Sequence, residues 1–272
     1  MAKPKHEFHL VNPSPYPIIT TVSMLVVAIG AIMFMHEKPH GNVIFYLGMM
    51  MIIASAFGWW REVIREGIHD KAHTKVVQTG LRIGMVLFIV SEVMFFFAFF
   101  FSFFKSGLDP VGILDADGIW VTEQGTWPPA GIETLSAWDL PFINTLVLLL
   151  SGTTVTWAHH SLLKGNRKGQ IQGLFLTVFL GICFTILQVV EYGHATFGFS
   201  EGVYSSNFYM ATGFHGFHVI IGTIFLAVCL VRSIRNTLTP QHHLGFEFAA
   251  WYWHFVDIVW LFLFVWVYIW GA

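Results

Sequence analysis

Histidine is the residue type in this chain with the widest scope for chemistry, because fourteen of the 272 residues are histidine. Neutral imidazole is a common ligand of transition metals, and its ordinary pKa of about 6.5 also suits proton transfer. His69 and His73 form an H-x-x-x-H pattern, and two His-His pairs follow at 159–160 and 242–243. Histidines in such sets can ligate a pair of iron ions, so a metal site is the first hypothesis.

The histidine pattern is nevertheless incomplete for a di-iron enzyme such as a membrane desaturase. Such a site needs a further histidine three or four residues before each His-His pair. Those positions hold Val155, Thr156, Leu238 and Thr239. A haem shared by facing helices would need His215 or His218 together with His254, and the apolar runs place these at different depths. We therefore expect no metal ion or haem in this chain.

Carboxylates and histidines inside apolar runs are the second group of candidates, since ionisable residues are costly in a membrane. Glu92 lies near the middle of the run 81–104. It fits three interpretations: a protonated hydrogen-bonded contact between helices, a member of a proton relay, or a residue of a lipid cleft. Asp257 follows His254 by three residues and could orient it. The remaining intramembrane polar contacts are expected at Glu191, His194, His215 and His218.

The elements that position these residues are predicted to be transmembrane helices. The chain is 55% hydrophobic and only 11% charged, with a mean hydropathy of +0.65, whereas soluble domains are about 25% charged. Only helices suit long apolar runs in lipid, because each backbone polar group must be bonded within its segment. The predicted spans are 18–35, 42–60, 81–104, 140–160, 171–194, 206–231 and 249–270.

The basic residues support seven spans and give an orientation. With seven spans, all but Lys38 and Lys105 of the fourteen lysines and arginines fall on one side. The positive-inside rule then places the N-terminus inside and the C-terminus outside. The residues on the inner side are Lys3, Lys5, Arg61, Arg65, Lys71, Lys75, Arg82, Lys164, Arg167, Lys168, Arg232 and Arg235.

Aromatic residues at the span ends predict interfacial belts, in which amphipathic rings lie at the level of the lipid headgroups. The predicted belt residues are Trp59, Trp60, Trp251, Tyr252, Trp253, Trp266, Tyr268 and Trp270. Eight of the ten residues from 95 to 104 are phenylalanine. This run indicates a surface for lipid and for helix packing rather than a cofactor site.

Several long strings, in order along the chain, closely resemble cytochrome c oxidase subunit III. They include SEVMFF at 91–96, TWAHH at 156–160, ATGFHGFH at 211–218 and WYWHFVD at 251–257, with shorter matches in GWWR at 58–61 and GFE at 245–247. The resemblance runs from about residue 8 to the C-terminus and is dense from the third predicted helix onward.

The resemblance implies an all-α fold of seven transmembrane helices, divided into a two-helix bundle (residues 1–62) and a five-helix bundle (residues 63–272). A V-shaped cleft between the bundles is expected to hold phospholipids. The resemblance also implies tight association with oxidase subunit I, the main contact, and with subunit II. Haem and copper would then belong to these partner subunits, and cytochrome c would be a substrate of the complex. Nothing indicates a nucleic-acid partner.

By position, the predicted lipid-binding residues are Trp59, Trp60, Glu66, His73, Arg82, Glu92, Arg232, His242 and His243. Phosphate favours basic and donor groups at the interface, and tryptophan packs beside acyl chains. The expected role is to sustain proton uptake and to protect the core subunit, with inner-surface histidines as a proton-collecting antenna. The membrane would be the bacterial cytoplasmic or the mitochondrial inner one. The alternatives are a free-standing iron enzyme and a seven-helix receptor, whose N-terminus would lie outside.

Overall fold

Helices form the regular structure in the part of the chain that the computed structural model describes, namely residues 8–70, 72–110, 126–129 and 131–272 without the side chains of His69 and Asp70. The second helix continues into a π-helical turn, Glu66–Asp70, and the seventh into another, Phe264–Ile269. The helices are α1 Tyr16–Met35, α2 Gly41–Arg65, α3 Lys75–Leu108, α4 Leu140–Leu163, α5 Arg167–His194, α6 Val203–Ile234 and α7 Leu244–Leu263.

Within these described ranges, seven helices are long and apolar enough to cross a membrane, which confirms the predicted fold class and span count. The chain is a multi-pass membrane protein. Two boundaries differ most from the predicted spans: the second helix and its π-helical turn continue to Asp70 rather than ending near residue 60, and α3 begins at Lys75 rather than near residue 81. Thr74 Oγ1 accepts a hydrogen bond from the Val77 backbone N–H, and Gln78 Nε2 donates to the His73 carbonyl. These contacts support a polar first turn that an apolar pattern cannot reveal.

The chain divides into two compact units, Met1–Leu81 and Arg82–Ala272, here called unit 1 and unit 2. In unit 1, α1 and α2 pack against each other, and their buried residues are small. These residues are Ser23, Gly30, Gly41, Gly48 and Ser55. A Cβ on Gly48 would lie 2.7 Å from the Val27 backbone nitrogen, so the two backbones approach too closely for any side chain at that position. The Thr20 hydroxyl also donates to Ser55 Oγ across the pair at 3.1 Å.

In unit 2, α4 packs on α5 and α7, and α6 packs between α5 and α7. Large aromatic side chains fill the centre, with Trp253 and Trp260 of α7 almost fully buried. Each indole N–H donates to a hydroxyl of α4: Trp253 to Ser151 at 2.8 Å and Trp260 to Thr145 at 2.9 Å. The ring of Trp253 also packs on Gly222 of α6. The centre of unit 2 is therefore aromatic and hydrogen-bonded.

The aromatic-belt prediction is wrong for Trp253, Tyr252 and Tyr268, which are 0%, 5% and 2% exposed. Trp253 and Tyr268 lie inside the helix bundle because their polar atoms find partners there, which removes the cost of burying them. The phenylalanine run agrees better with expectation. Phe96, Phe100 and Phe103 form a buried face of α3, whereas other rings of the run are exposed.

Candidate functional site

Glu92 of α3 contacts His218 of α6, with 2.7 Å between Oε2 and His218 Nε2. His218 Nδ1 lies 2.6 Å from the Phe214 carbonyl, and since a carbonyl can only accept, Nδ1 carries a proton. A short contact between Nε2 and Oε2 then requires one proton between these two atoms. The pair is either a carboxylic acid with a neutral imidazole or a carboxylate with an imidazolium. The first interpretation of Glu92, a hydrogen-bonded contact between helices, matches this geometry.

The pair lies in an aromatic environment. The rings of Phe96 and Phe95 lie 4.9 and 5.9 Å from the His218 ring, and Tyr252 stacks on it at 6.4 Å. The Glu92 side chain is 21% exposed and the His218 side chain 8%. The aromatic side chains therefore enclose most of the Glu92–His218 pair.

His215, three residues before His218, contacts a different helix. Its Nε2 lies 3.2 Å from the Val256 carbonyl of α7, and its ring packs against Phe184 and Trp260. A ring nitrogen facing a carbonyl must carry the proton, so His215 is the Nε2–H form. His215 and His218 thus join α6 to two different helices, His215 to α7 and His218 to α3.

Glu191 lies near the opposite end of α5 from Arg167 and is 1% exposed. Its Oε1 accepts from the Tyr268 hydroxyl at 2.5 Å and from Gln188 Nε2 at 3.2 Å. Within the described residues, its Oε2 has no hydrogen-bond partner. His194, the last residue of α5, is exposed. Of the two polar residues predicted at this helix end, Glu191 is the one that joins α5 to the chain following α7.

His254 and Asp257 contact α4. Thr156 Oγ1 lies 3.1 Å from His254 Nε2, whereas Asp257 Oδ2 is 3.7 Å from His254 Nδ1, which is beyond hydrogen-bond distance. Asp257 packs directly against Gly152, where any Cβ would collide with its carboxyl group. In this geometry, Thr156 holds the His254 ring more closely than Asp257 does.

A cluster of charged and histidine side chains lies where α7 begins. Its members are Arg82, His159, Arg232, His243 and Glu247. Arg82 Nε and Nη2 donate to the two Glu247 oxygens at 2.9 and 2.8 Å, a bidentate pair that joins α3 to α7. The His159 and His243 rings are 5.5 Å apart. His243 therefore lies beside His159 of α4, and the neighbouring His242 is exposed.

Arg232 differs from Arg82 in that no described carboxylate pairs with it, and its buried Nε has no hydrogen-bond partner among the described residues. Its Nη1 lies against the first turn of α7, 3.0 Å from where a Cβ on Gly245 would be. A half-buried guanidinium in this state favours an anion, because an unpaired buried charge is costly.

In unit 1, Glu66 and His73 lie at the turn between α2 and α3, close to His9. His9 Nε2 is 3.9 Å from Glu66 Oε2, and the His9 and His73 rings are 5.4 Å apart. Burial lowers the pKa of His73, and the neighbouring His9 lowers it further by charge repulsion. Trp59 is half-buried, and Trp60 is 54% exposed. The side chain of His69 lies outside the described part of the structure.

Sequence reasoning missed the hydrogen bonds that hold unit 2 together. The contacts of Trp253 with Ser151 and of Arg82 with Glu247 join residues 102 and 165 positions apart. Serine and threonine in apolar runs were the available signal, because a hydroxyl in lipid needs a partner. That signal does not say which partner.

The fold and these sites define a class: a polytopic α-helical membrane protein whose buried polar residues mostly join helices to one another. Comparison with known proteins gives the family. The family described as Cytochrome c oxidase subunit III matches residues 6–272, and the chain belongs to it.

Named relatives agree with this assignment over nearly the whole chain. A "Probable cytochrome c oxidase subunit 3" of Rickettsia bellii is 56% identical over 269 residues, covering 98% of this chain and 96% of the relative. The "Cytochrome c oxidase subunit 3" of Chondrus crispus is 52% identical over 98% of this chain and 95% of its own length. That of Dugong dugon is 51% identical over the full length of both. The chain is thus a non-catalytic subunit of an oxidoreductase complex.

Proposed function

We propose that this chain is a lipid-binding subunit of cytochrome c oxidase that supports proton uptake by, and the stability of, the core subunit. The complex would reduce oxygen to water with electrons from cytochrome c and pump protons. Subunits I and II would be the direct partners and would hold the haem and copper. The N-terminus would lie inside and the C-terminus outside, as the basic residues indicate.

The observation that carries the lipid proposal is the unpaired guanidinium of Arg232. A phospholipid phosphate offers oxygens that can accept from Nε and from the outer nitrogens at once. The exposed His242 and the half-buried His243 follow on the same connection between α6 and α7 and can add donors. The site lies at the ends of two transmembrane helices, which is where a headgroup is found.

Two other predicted lipid-binding residues of unit 2, Arg82 and Glu92, are less suited to a phosphate than Arg232, because each already has a partner within the chain. Arg82 already binds a carboxylate through two nitrogens, which neutralises its charge and reduces its attraction for a phosphate. Glu92 is engaged with His218 and would face acyl chains rather than a phosphate. Of these three side chains, Arg232 is therefore the strongest candidate to bind a phosphate.

The lipid proposal is tested by replacing Arg232 with glutamine in the intact oxidase and counting tightly bound phospholipids by native mass spectrometry. We expect the loss of one phospholipid per complex, because the phosphate loses its charged partner. The matched control is Arg235→Gln, which removes an exposed arginine from the same helix end. Unchanged lipid content in R232Q, or equal losses in the two variants, would contradict the proposal.

The proton-uptake role is tested separately by comparing oxidase with and without this chain. Steady-state turnover and the lifetime of activity during turnover are measured for both preparations. We expect slower proton uptake and a shorter lifetime in the stripped complex. Identical values would exclude the supporting role while leaving the lipid site unaffected.

A further inference from the structure

Three residues of metal-ligand type come together in unit 1, and two of them, Glu66 and His73, are also among the predicted lipid-binding residues. One ligand atom each of His9, Glu66 and His73 lies within 4.8 Å of the other two. Glu66 opens the π-helical turn after α2, His73 lies just before α3, and His9 belongs to the segment before α1. Three separate parts of the chain therefore supply the cluster.

We propose that His9, Glu66 and His73 bind a divalent transition metal of the zinc type. Two imidazole nitrogens and one carboxylate oxygen form a donor set that zinc accepts, with a water or another oxygen ligand as the fourth. Magnesium and calcium favour all-oxygen sites instead. The site is independent of the lipid proposal for Arg232.

The three ligand atoms lie within 4.8 Å of one another, which is wider than in a metal-bound site, so side-chain movements of up to about 1.5 Å must bring them together. Ligands about 2.0–2.2 Å from a tetrahedral zinc ion lie roughly 3.3 Å from one another. His9 Nε2 and Glu66 Oε2 are 3.9 Å apart, so the pair needs to close by about half an ångström. The His9 side chain is 40% exposed, which leaves it room to make this adjustment.

The backbone around the site is held in place, so the ligands converge without a metal. The Ala72 N–H donates to the Glu66 carbonyl at 3.1 Å, and Gln78 Nε2 donates to the His73 carbonyl at 3.0 Å. On the other side, Ser14 Oγ donates to the Glu62 carboxylate, which fastens the segment before α1 to α2. A site preorganised in this way loses little entropy on binding.

Gly67 adds a constraint that concerns His73 in particular. A Cβ at this position would lie 2.9 Å from His73 Nδ1, closer than two such atoms can approach. A larger residue here would displace the imidazole while leaving all three ligands in the chain. A bound metal would fasten the segment before α1 to the connection between α2 and α3.

The proposal is tested on the intact oxidase complex after dialysis against a chelator to remove loosely held metal. Zinc is added by equilibrium dialysis, and bound zinc is counted per complex by mass spectrometry of the elements. We expect wild type to hold one more zinc than the His9→Gln and His73→Gln variants. We expect Gly67→Ala to retain the site with roughly tenfold weaker affinity, since it moves a ligand without removing it.

Two controls keep the result specific. His36→Gln removes an exposed histidine of the same unit and should leave the zinc count unchanged. X-ray absorption at the zinc edge should show two imidazole nitrogens and an oxygen at about 2.0 Å. Each variant complex is first checked for its full content of this subunit. Equal zinc counts in wild type and in the two histidine variants, or an equal loss in His36→Gln, would overturn the proposal.

Discussion

Units 1 and 2 hold their transmembrane helices together by different means. The helix pair of unit 1 buries glycines and serines, so that one backbone lies directly on another at Gly30, Gly41 and Gly48. Unit 2 instead buries tryptophan, tyrosine and phenylalanine and fastens their polar atoms to hydroxyls and carboxylates on neighbouring helices. The hydrophobic effect does not drive apolar helices together in lipid, so close backbone packing in unit 1 and interhelical hydrogen bonds in unit 2 hold the helices instead.

The difference shows why the function of a polar residue in a transmembrane helix must be judged by the side chains and backbone groups that it contacts. Most of the polar residues inside unit 2 that could suggest catalysis, including Glu92, His215 and Glu191, are engaged with another helix. Arg232 and the cluster of His9, Glu66 and His73 are the features that geometry leaves suited to an outside ligand. Binding sites in this chain are therefore sought near helix ends rather than in the middle of the bundle.

The largest expected effect concerns the close backbone approach in unit 1. Gly48→Leu places a side chain where the Val27 backbone already lies, so α1 and α2 must separate. We expect a loss of about 3 kcal/mol or more in stability, at the upper end for overpacked sites. The measurement is the temperature at which half of the subunit is lost from the detergent-solubilised oxidase.

Gly84→Leu is the matched control, because a Cβ at Gly84 of α3 meets nothing within 4 Å inside this chain. Its midpoint temperature should stay close to that of wild type. Comparable losses for the two variants would show that added bulk in general, and not the contact between α1 and α2, destabilises the subunit.

The next effect concerns the aromatic centre of unit 2. Trp253→Phe removes the indole N–H that donates to Ser151 and leaves a gap beside Gly222. We expect a loss of about 2 kcal/mol, the combined cost of a lost hydrogen bond and a small cavity. The same thermal assay measures it, with the exposed Trp157→Phe as the control. A Trp253 variant as stable as the control would show that the buried indole is not needed.

The smallest effect concerns the interhelical hydroxyl contact of unit 1. Thr20→Val keeps the shape of the side chain but removes the hydrogen bond to Ser55. Polar contacts between transmembrane helices contribute about 0.6 kcal/mol on average, so the midpoint temperature should fall only slightly. A loss as large as that of Gly48→Leu would reverse the ranking and make the hydroxyl, not the glycine contact, the main fastening of unit 1.

The fold was largely predictable, because each apolar run of sufficient length must form a helix in lipid. The helix ends were harder to predict. The first turn of α3, from Lys75, is polar and lies outside the apolar run, so hydropathy does not reveal it. The partners of Glu92 and Arg82 could not be predicted, since periodicity reports which face a residue occupies and not which helix it meets. The belt prediction for Trp253 was wrong for the same reason. From the sequence, a tryptophan near a span end can lie either at the lipid headgroups or inside the helix bundle.

The central proposal is that this chain is a colourless subunit and that its partner subunits hold the redox centres. The most direct measurement is the reduced-minus-oxidised spectrum of the purified oxidase, recorded before the chain is removed and then separately on the chain and on the remaining complex. We predict that all haem absorbance stays with the remaining complex. Haem absorbance or stoichiometric iron in the isolated chain would contradict the account and favour an iron enzyme built from its histidines.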